Sequence, residues 1–144
     1  MHHPRALLLA LAALPLAAPA SAEDIDLRLS IKFVLDADGN RPPGVWGSEA
    51  NVISLLDEMN TSMRRWARGY RYVVSEFFDV VGHPEFFEVT QAEFDLLELA
   101  AEADPATFGW RTDATNIYVV GGAWASAAAI PSTDPGFELV VMQD

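Results

Sequence analysis

The apolar residues of this chain change period as the sequence runs on, and that alternation constrains the fold more than any other feature. Ile25, Leu27, Leu29, Ile31 and Phe33 alternate with Asp26, Arg28, Ser30 and Lys32, the period-two pattern of a half-buried strand with one polar face. Asp36-Ala37-Asp38-Gly39-Asn40 and Pro42-Pro43-Gly44 then break it into a loop. From Ser48 to Arg68 the period becomes helical. Val52, Leu55, Leu56, Met59, Met63 and Trp66, with Tyr70 just beyond, recur at three- and four-residue steps and form one apolar stripe. Ser48 suits the N-cap and Glu49 the first turn. Arg64, Arg65 and Arg68 suit the last turns, and Gly69 the left-handed position past the end. Residues 71–81 are rich in Tyr, Val and Phe and read as a second strand. Tyr72, Val74, Phe78 and Val80 fall on one face and Val73 and Phe77 on the other, which predicts an interior strand covered on both sides.

Thr90 and Glu93 match a Thr-x-x-Glu capping box, and Val89 and Phe94 occupy the positions of a hydrophobic staple. That helix should run to about Ala103 and stop at Asp104-Pro105. Asn116–Val120 is a third strand, ended by Gly121-Gly122. Ala123–Ile130 is a small-residue segment, fit at most for a short edge strand, and Phe137–Met142 is a last strand. Alternating strands and helices predict an α/β fold. The expectation is a twisted mixed sheet of four or five strands with the 48–68 and 90–103 helices packed on it. Its core should draw on Leu29, Ile31, Phe33, Leu56, Met59, Met63, Trp66, Val74, Phe78, Leu97, Ile117, Val119, Leu139 and Val141.

Ahead of this alternation lies a segment of another kind. Arg5 precedes the 13-residue apolar run Ala6–Ala18, and Ala20-Ser21-Ala22 supplies a small-x-small cleavage pattern. The run is too short for a bilayer-spanning helix and reads as an export signal peptide, residues 1–22, with a retained membrane anchor as the rival reading. Residues 23–144 are then a single α/β domain of a secreted or periplasmic product, with no membrane contact expected after cleavage. The chain has no cysteine, so disulfides, thiolate metal sites and thiol catalysis are excluded and packing must stabilise the exported fold. The net charge of −12, from 9 Lys+Arg against 21 Asp+Glu, argues against nucleic acid as a partner. Lysine occurs once, at Lys32.

Candidate chemical groups are few. Asp36-x-Asp38-Gly39 begins like a calcium loop, but no Glu stands at the twelfth position, and a turn accounts for it. His83 is the one histidine beyond residue 22. It cannot make a zinc site or a Ser-His-Asp triad unaided, and Gly-His-Pro reads as a turn. Glu76 and Asp79 lie on opposite faces at period two, a poor acid–base pair. Gly121-Gly122 follows a strand but carries no phosphate-binding pattern. The Arg64, Arg65 and Arg68 cluster suits either an anionic partner or simply a helix C-terminus. No catalytic, cofactor-binding or metal-ligating residue is assigned from these groups.

The organisation nevertheless resembles a known one. Leu29–Leu35, the helix running from Met59-Asn60-Thr61 through Trp66-Ala67-Arg68-Gly69-Tyr70-Arg71, and Asp113-Ala114-Thr115-Asn116-Ile117-Tyr118-Val119-Val120 are similar to the front half of a secreted bacterial zincin-type metallopeptidase domain, of the metzincin-like or pappalysin-like group. The resemblance implies the upper subdomain of that fold, with Gly122–Ile130 as the small-residue segment and Phe137–Met142 as an edge strand. It also implies a zinc cofactor on a following His-Glu-x-x-His helix, whose two His bind zinc and whose Glu activates water. That helix is absent from this sequence. No cofactor is therefore expected in this chain, and the domain is expected to be incomplete at its C-terminal end and inactive alone. The alternatives are an exported non-enzymatic α/β binding or interaction module, and an unrelated exported α/β protein that binds a small ligand or a partner. On the peptidase reading, one face of the last strands should lack cover: Ile117, Val119, Phe137, Leu139 and Val141, or Tyr118, Val120, Val140 and Met142. A protein partner or self-association is expected there.

Overall fold

The computed structural model describes residues 24–66, 69–90, 93–122, 127–128 and 139–142. Its elements are β1 (Ile25–Val34), α1 (Glu49–Arg65), β2 (Tyr70–Val80), a 3-10 turn at Pro84–Phe86, α2 (Phe94–Ala103), α3 (Pro105–Phe108), β3 (Thr115–Val119), β4 (Ala127–Ala128) and β5 (Leu139–Met142). The α/β class is as expected. The strands lie side by side in the order β2-β1-β3-β5-β4. β1 pairs parallel with both β2 and β3, β5 pairs parallel with β3, and β4 is antiparallel to β5. The expected strand number is met only in part. The body of the open sheet is the three parallel strands β2, β1 and β3, while β5 and β4 add segments of four and two residues. Leu139–Met142 lies one strand in from the edge, not at it as the resemblance implied. Its place at the edge is taken by Ala127–Ala128.

The crossovers explain the layers. β1 to β2 steps one way across the sheet, and β2 to β3 steps back over β1 to its other side. Right-handed connections in opposite directions place their helices on opposite faces. Two cores result. Leu29, Ile31, Phe33, Leu35, Ile117 and Val119 pack with Val52 and Leu56 of α1. Val34, Val80, Tyr118 and Val120 pack with Phe94, Leu97, Ala101 and Phe108 of α2 and α3. Val89 joins that second core beside Phe94, as the staple positions predict. β1 is therefore buried on both faces from Leu29 onward, and the half-buried strand with a solvated polar face is corrected. Both faces of β3 are covered as well, with Ile117, Tyr118, Val119 and Val120 all buried. Neither set proposed for an uncovered face is bare there. The side chains of Leu139, Val140, Val141 and Met142, and all of Phe137, lie outside the described residues.

β2 is an outer strand of the sheet, not an interior one, and its residues are half-buried for most of its length. Its apolar residues also divide differently from strict alternation. Tyr72, Val74 and Phe77 face α1, whereas Phe78 and Val80 face α2. A β-bulge is the cause. Leu29 pairs with Val74 but Ser30 pairs with Glu76, so Ser75 is the extra residue and the strand changes faces across it. The Ser75 hydroxyl donates to the Leu29 carbonyl at 2.7 Å and patches the gap.

The helices depart from the stripe in one informative way. α1 docks through Val52 and Leu56, and one turn later Asn60 seals it to the outer strand. The Asn60 amide donates to the Tyr72 carbonyl at 2.8 Å and its oxygen accepts from the Tyr72 N–H at 2.6 Å, as a neighbouring strand would. Beyond Asn60 the contact with the sheet weakens, so Met63 is half-buried and Trp66 is exposed; Met59, one residue before Asn60, is exposed as well. Met59 and Trp66 are not core residues. α2 runs from Phe94 to Ala103, and just ahead of it Glu93 makes the Glu half of the expected capping box with Thr90. Its carboxylate accepts from the Thr90 N–H at 3.0 Å and hydroxyl at 2.8 Å. Asp104 ends α2 and N-caps a third helix, α3, that the sequence pattern did not separate. Its carboxylate accepts from the Thr107 N–H at 3.3 Å.

Glu98 is the misfit of α2. It is 4% exposed, and its Oε1 has no hydrogen-bond partner among the described residues. Burial, then the nearby Glu102 and Asp95, push its carboxyl above the ordinary glutamate range. The folded state thus holds its proton to higher pH than the unfolded chain does, and stability falls as pH climbs through that interval. Glu98→Gln is expected to raise stability at pH 7 by about 1 kcal/mol and to leave stability at pH 4 nearly unchanged. Urea unfolding at both pH values checks this.

Candidate functional site

The densest group of functional side chains lies on the α2-facing side of the sheet, towards the strand N-termini. β1 carries Arg28, Ser30 and Lys32 on that side, β2 carries Glu76, and β3 carries Asn116 and Tyr118. The loop before β3 adds Arg111 and Asp113. Ser30, Lys32, Asn116 and Tyr118 are fully buried. The bulge at Ser75 is what turns Glu76 towards them. Across the strands, the Ser30 hydroxyl donates to the Glu76 carboxylate.

Lys32 is the centre of the group. Its ammonium nitrogen donates to the Ser30 carbonyl at 3.0 Å and the Asn116 Oδ1 at 2.5 Å, and it stands 5.5 Å from the centroid of the Tyr118 ring. Burial pushes the Lys32 amine down to about 7, with Glu76 opposing the shift and Arg111 adding to it. The Tyr118 hydroxyl is pushed above the ordinary tyrosine range, by burial first and by Glu76 second. It donates to the Phe108 carbonyl at 2.9 Å and so ties α3 to the sheet.

Asn116 joins this core to the loop ahead of it. Its Oδ1 also accepts from the Arg111 N–H at 2.9 Å, and its Nδ2 donates to the Arg111 carbonyl at 2.8 Å. The Arg111 guanidinium makes a two-pronged pair with Asp113 at 2.7 and 2.9 Å and reaches Glu76 at 3.6 Å. Asp113 closes the chain of charges to Arg28 at 2.9 Å. The outer pairs are solvated and contribute little stability each. The inner group is a polar clamp on three strands. Ser30 and Lys32 are wholly enclosed, and their bonds to Glu76 and Asn116 tie the three strands together.

The residues singled out from sequence lie elsewhere. The Asp36 carboxylate accepts from the N–H groups of Asp38 at 2.9 Å and Asn40 at 2.7 Å. These bonds, those to Asn40 first, hold it below the usual aspartate range, and it closes its own turn. His83 sits in its turn with Nδ1 2.9 Å from Glu85 and its ring 4.6 Å from Phe108. Asp79 pairs with Arg41 at 2.7 Å, on the other side of the strand from Glu76. Gly121 lies where an added Cβ would meet the Phe87 ring at 2.3 Å, so close ring packing requires this glycine. Arg64 and Arg65 lie in the last turn of α1, and Arg68 lies outside the described residues. No group of three or more His, Cys, Asp or Glu side chains able to hold a metal ion occurs among the described residues, and none of their helices is long and apolar enough to cross a membrane.

Sequence reading missed Ser30, Lys32, Arg111, Asn116 and Tyr118 as one group. The usable hint was Lys32 itself, the chain's one lysine, in the strand with the strongest alternation. No protein-family model, no curated protein and no solved structure matches this chain.

Proposed function

We propose that residues 23–144 are the scaffold half of an exported zincin-type metallopeptidase domain, without its zinc-binding helix and inactive as this chain. The observation that supports the reading is the element order. A strand, the long helix α1, a parallel outer strand, the helices α2 and α3 and a parallel inner strand are followed by the short small-residue strand Ala127–Ala128 and by a last strand, which lies beside β3 and not at the edge the resemblance gave it. The clamp around Lys32 then serves to fix the relative positions of β1, β2 and β3 in an exported chain that has no disulfide.

A second reading, an exported non-enzymatic binding module, has one observation in its favour. Both faces of β3 are already covered, whereas a scaffold awaiting a helix over that strand would leave Ile117 and Val119, or Tyr118 and Val120, bare.

On the first reading the purified chain should neither bind zinc stoichiometrically nor cleave unfolded protein substrates, because the catalytic ligands come from another segment. His83 is its one histidine beyond residue 22, and a single imidazole does not make a tight site. Isothermal titration with zinc and a chelator-controlled peptide cleavage assay check both statements. Tight one-to-one zinc binding, or cleavage that a chelator abolishes, would overturn the proposal.

A further inference from the structure

We propose that Asn60 is a latch: it holds α1 across the outer edge of β2 and keeps that edge from pairing with a second copy of the chain. The proposal stands independently of the peptidase reading.

Among the described strands β2 is outermost on its side of the sheet and pairs with β1 alone. Backbone groups along a parallel strand point to alternate sides. The Gly69 carbonyl, just before β2, accepts from the Ile25 N–H at 2.8 Å, and the Val80 carbonyl accepts from the Leu35 N–H at 3.1 Å. Both ends are thereby fixed towards β1. Counting inwards, Tyr70, Tyr72 and Val74 face outward before the bulge, and Phe77 and Asp79 after it. A row of outward N–H and C=O groups is a template for another strand.

The bulge at Ser75 splits this row into two runs. The far run carries the charge of Asp79, paired with Arg41 at 2.7 Å, and Arg41 also holds Glu49 at the start of α1 at 2.8 Å. Charged edges resist pairing. The near run has no such charge on an outward residue. Its central residue is Tyr72, and Asn60 takes both of that residue's backbone groups, at 2.8 and 2.6 Å. A primary amide offers one donor and one acceptor side by side, as a peptide group does.

Little else ties this part of α1 down. Its buried anchors, Val52 and Leu56, lie upstream, and from Asp57 to Arg65 only Asn60 and Met63 are even half-buried. A cleft of about 430 Å³ opens between helix and strand, with Ile53, Leu56, Asn60, Tyr72 and Val74 among its walls, and Ile53 is itself exposed. Asn60 bridges the two elements where apolar packing is incomplete. Without its amide the Tyr72 groups lose their partners, and the second half of α1 is free to lift from the edge.

The edge so opened fits its own copy. Two-fold antiparallel pairing about Tyr72 sets Tyr70 opposite Val74 and Arg71 opposite Val73. No carboxylate of β2 then meets another across the join, and the outward groups of Tyr70, Tyr72 and Val74 pair with one another. The net charge of −12 on each copy opposes association, and salt screens that repulsion.

The test is sedimentation velocity and residue-resolved amide hydrogen exchange on the purified full chain. Wild type should be monomeric, and its Tyr72 amide should exchange with those of residues 60–65, roughly tenfold or more faster than those of Ile31 and Phe33 in β1. At low concentration Asn60→Ala should lose the remaining protection of Tyr72 while Ile31 and Phe33 stay protected. At higher concentration it should dimerise, more tightly as salt rises, with protection returning to Tyr72 and Val74. Asn60→Asp still accepts from the Tyr72 N–H and should stay monomeric. An alanine variant that is monomeric at every concentration would overturn the proposal. So would a dimer that leaves Tyr72 and Val74 unprotected, or open-ended oligomers. If the alanine variant does not fold, the wild type decides: a Tyr72 amide as slow as those of Ile31 and Phe33 means that no latch opens there, and the proposal fails.

Discussion

Asn116→Ala is expected to destabilise the fold by about 3–5 kcal/mol, the largest single-residue effect we anticipate outside the apolar core. The Asn116 side chain has four partners: it accepts from Lys32 and from the Arg111 N–H, and donates to the carbonyls of Arg111 and Ala114. Truncation leaves the wholly buried Lys32 amine with the Ser30 carbonyl as its remaining acceptor and frees the loop that Arg111 anchors. Asn116→Asp separates the two roles. A carboxylate still accepts from Lys32, and holds its proton more firmly, but it cannot donate to the Arg111 carbonyl. It should lose less stability than the alanine variant. Equilibrium urea unfolding of both variants checks the order. Equal losses would mean that Lys32 draws nothing from Asn116.

Stability should rise with pH between about 7 and 10. The folded chain releases the Lys32 proton at about pH 7, whereas the unfolded chain keeps it to about pH 10.4. Between these values the unfolded state holds a proton that the folded state lacks, so raising pH favours folding. Integrated over the window, the gain approaches about 4 kcal/mol. Above about pH 10 the sign reverses. Tyr118 keeps its proton in the folded state at a pH where the unfolded tyrosine loses it, and stability falls again. Lys32→Met should abolish the rise. It should also be more stable than wild type at pH 7 by about 1–3 kcal/mol, since an apolar side chain of similar length replaces a buried amine. A wild-type stability curve that is flat from pH 7 to 10 would place the lysine in contact with water.

Where sequence reasoning succeeded, the controlling interactions were local. The period changes at residues 25, 48 and 71 mark β1, α1 and β2 to within a few residues, because alternation and the helical stripe are properties of consecutive side chains. The staple of Val89 and Phe94 is of the same kind. Where it failed, the cause lay across the sheet. Ser30 and Lys32 are polar, and alternation alone assigns them to solvent. They are buried because β1 is central and because β2 to β3 crosses back over its second face, a matter of strand order that no single segment encodes. The bulge at Ser75 likewise appears only when β2 is laid against β1, and without it Glu76 could not reach Ser30.

The stripe on α1 fails for a different reason. Met59 and Trp66 satisfy the helical spacing as well as Val52 and Leu56 do, yet they are exposed. Asn60 closes α1 against Tyr72, near the start of β2, so the turn that carries Trp66 has little of the strand left to cover it. Spacing predicts which residues share a face, not how far the partner surface extends.

The reading of the chain as a peptidase scaffold is tested most directly by the coding frame beyond codon 144. Sequencing the native transcript through that point should reveal an in-frame continuation, a helical segment carrying His-Glu-x-x-His soon after the strand that ends at Met142. A transcript that continues without such a segment, or that stops at codon 144, would contradict the account and leave the exported binding module in its place.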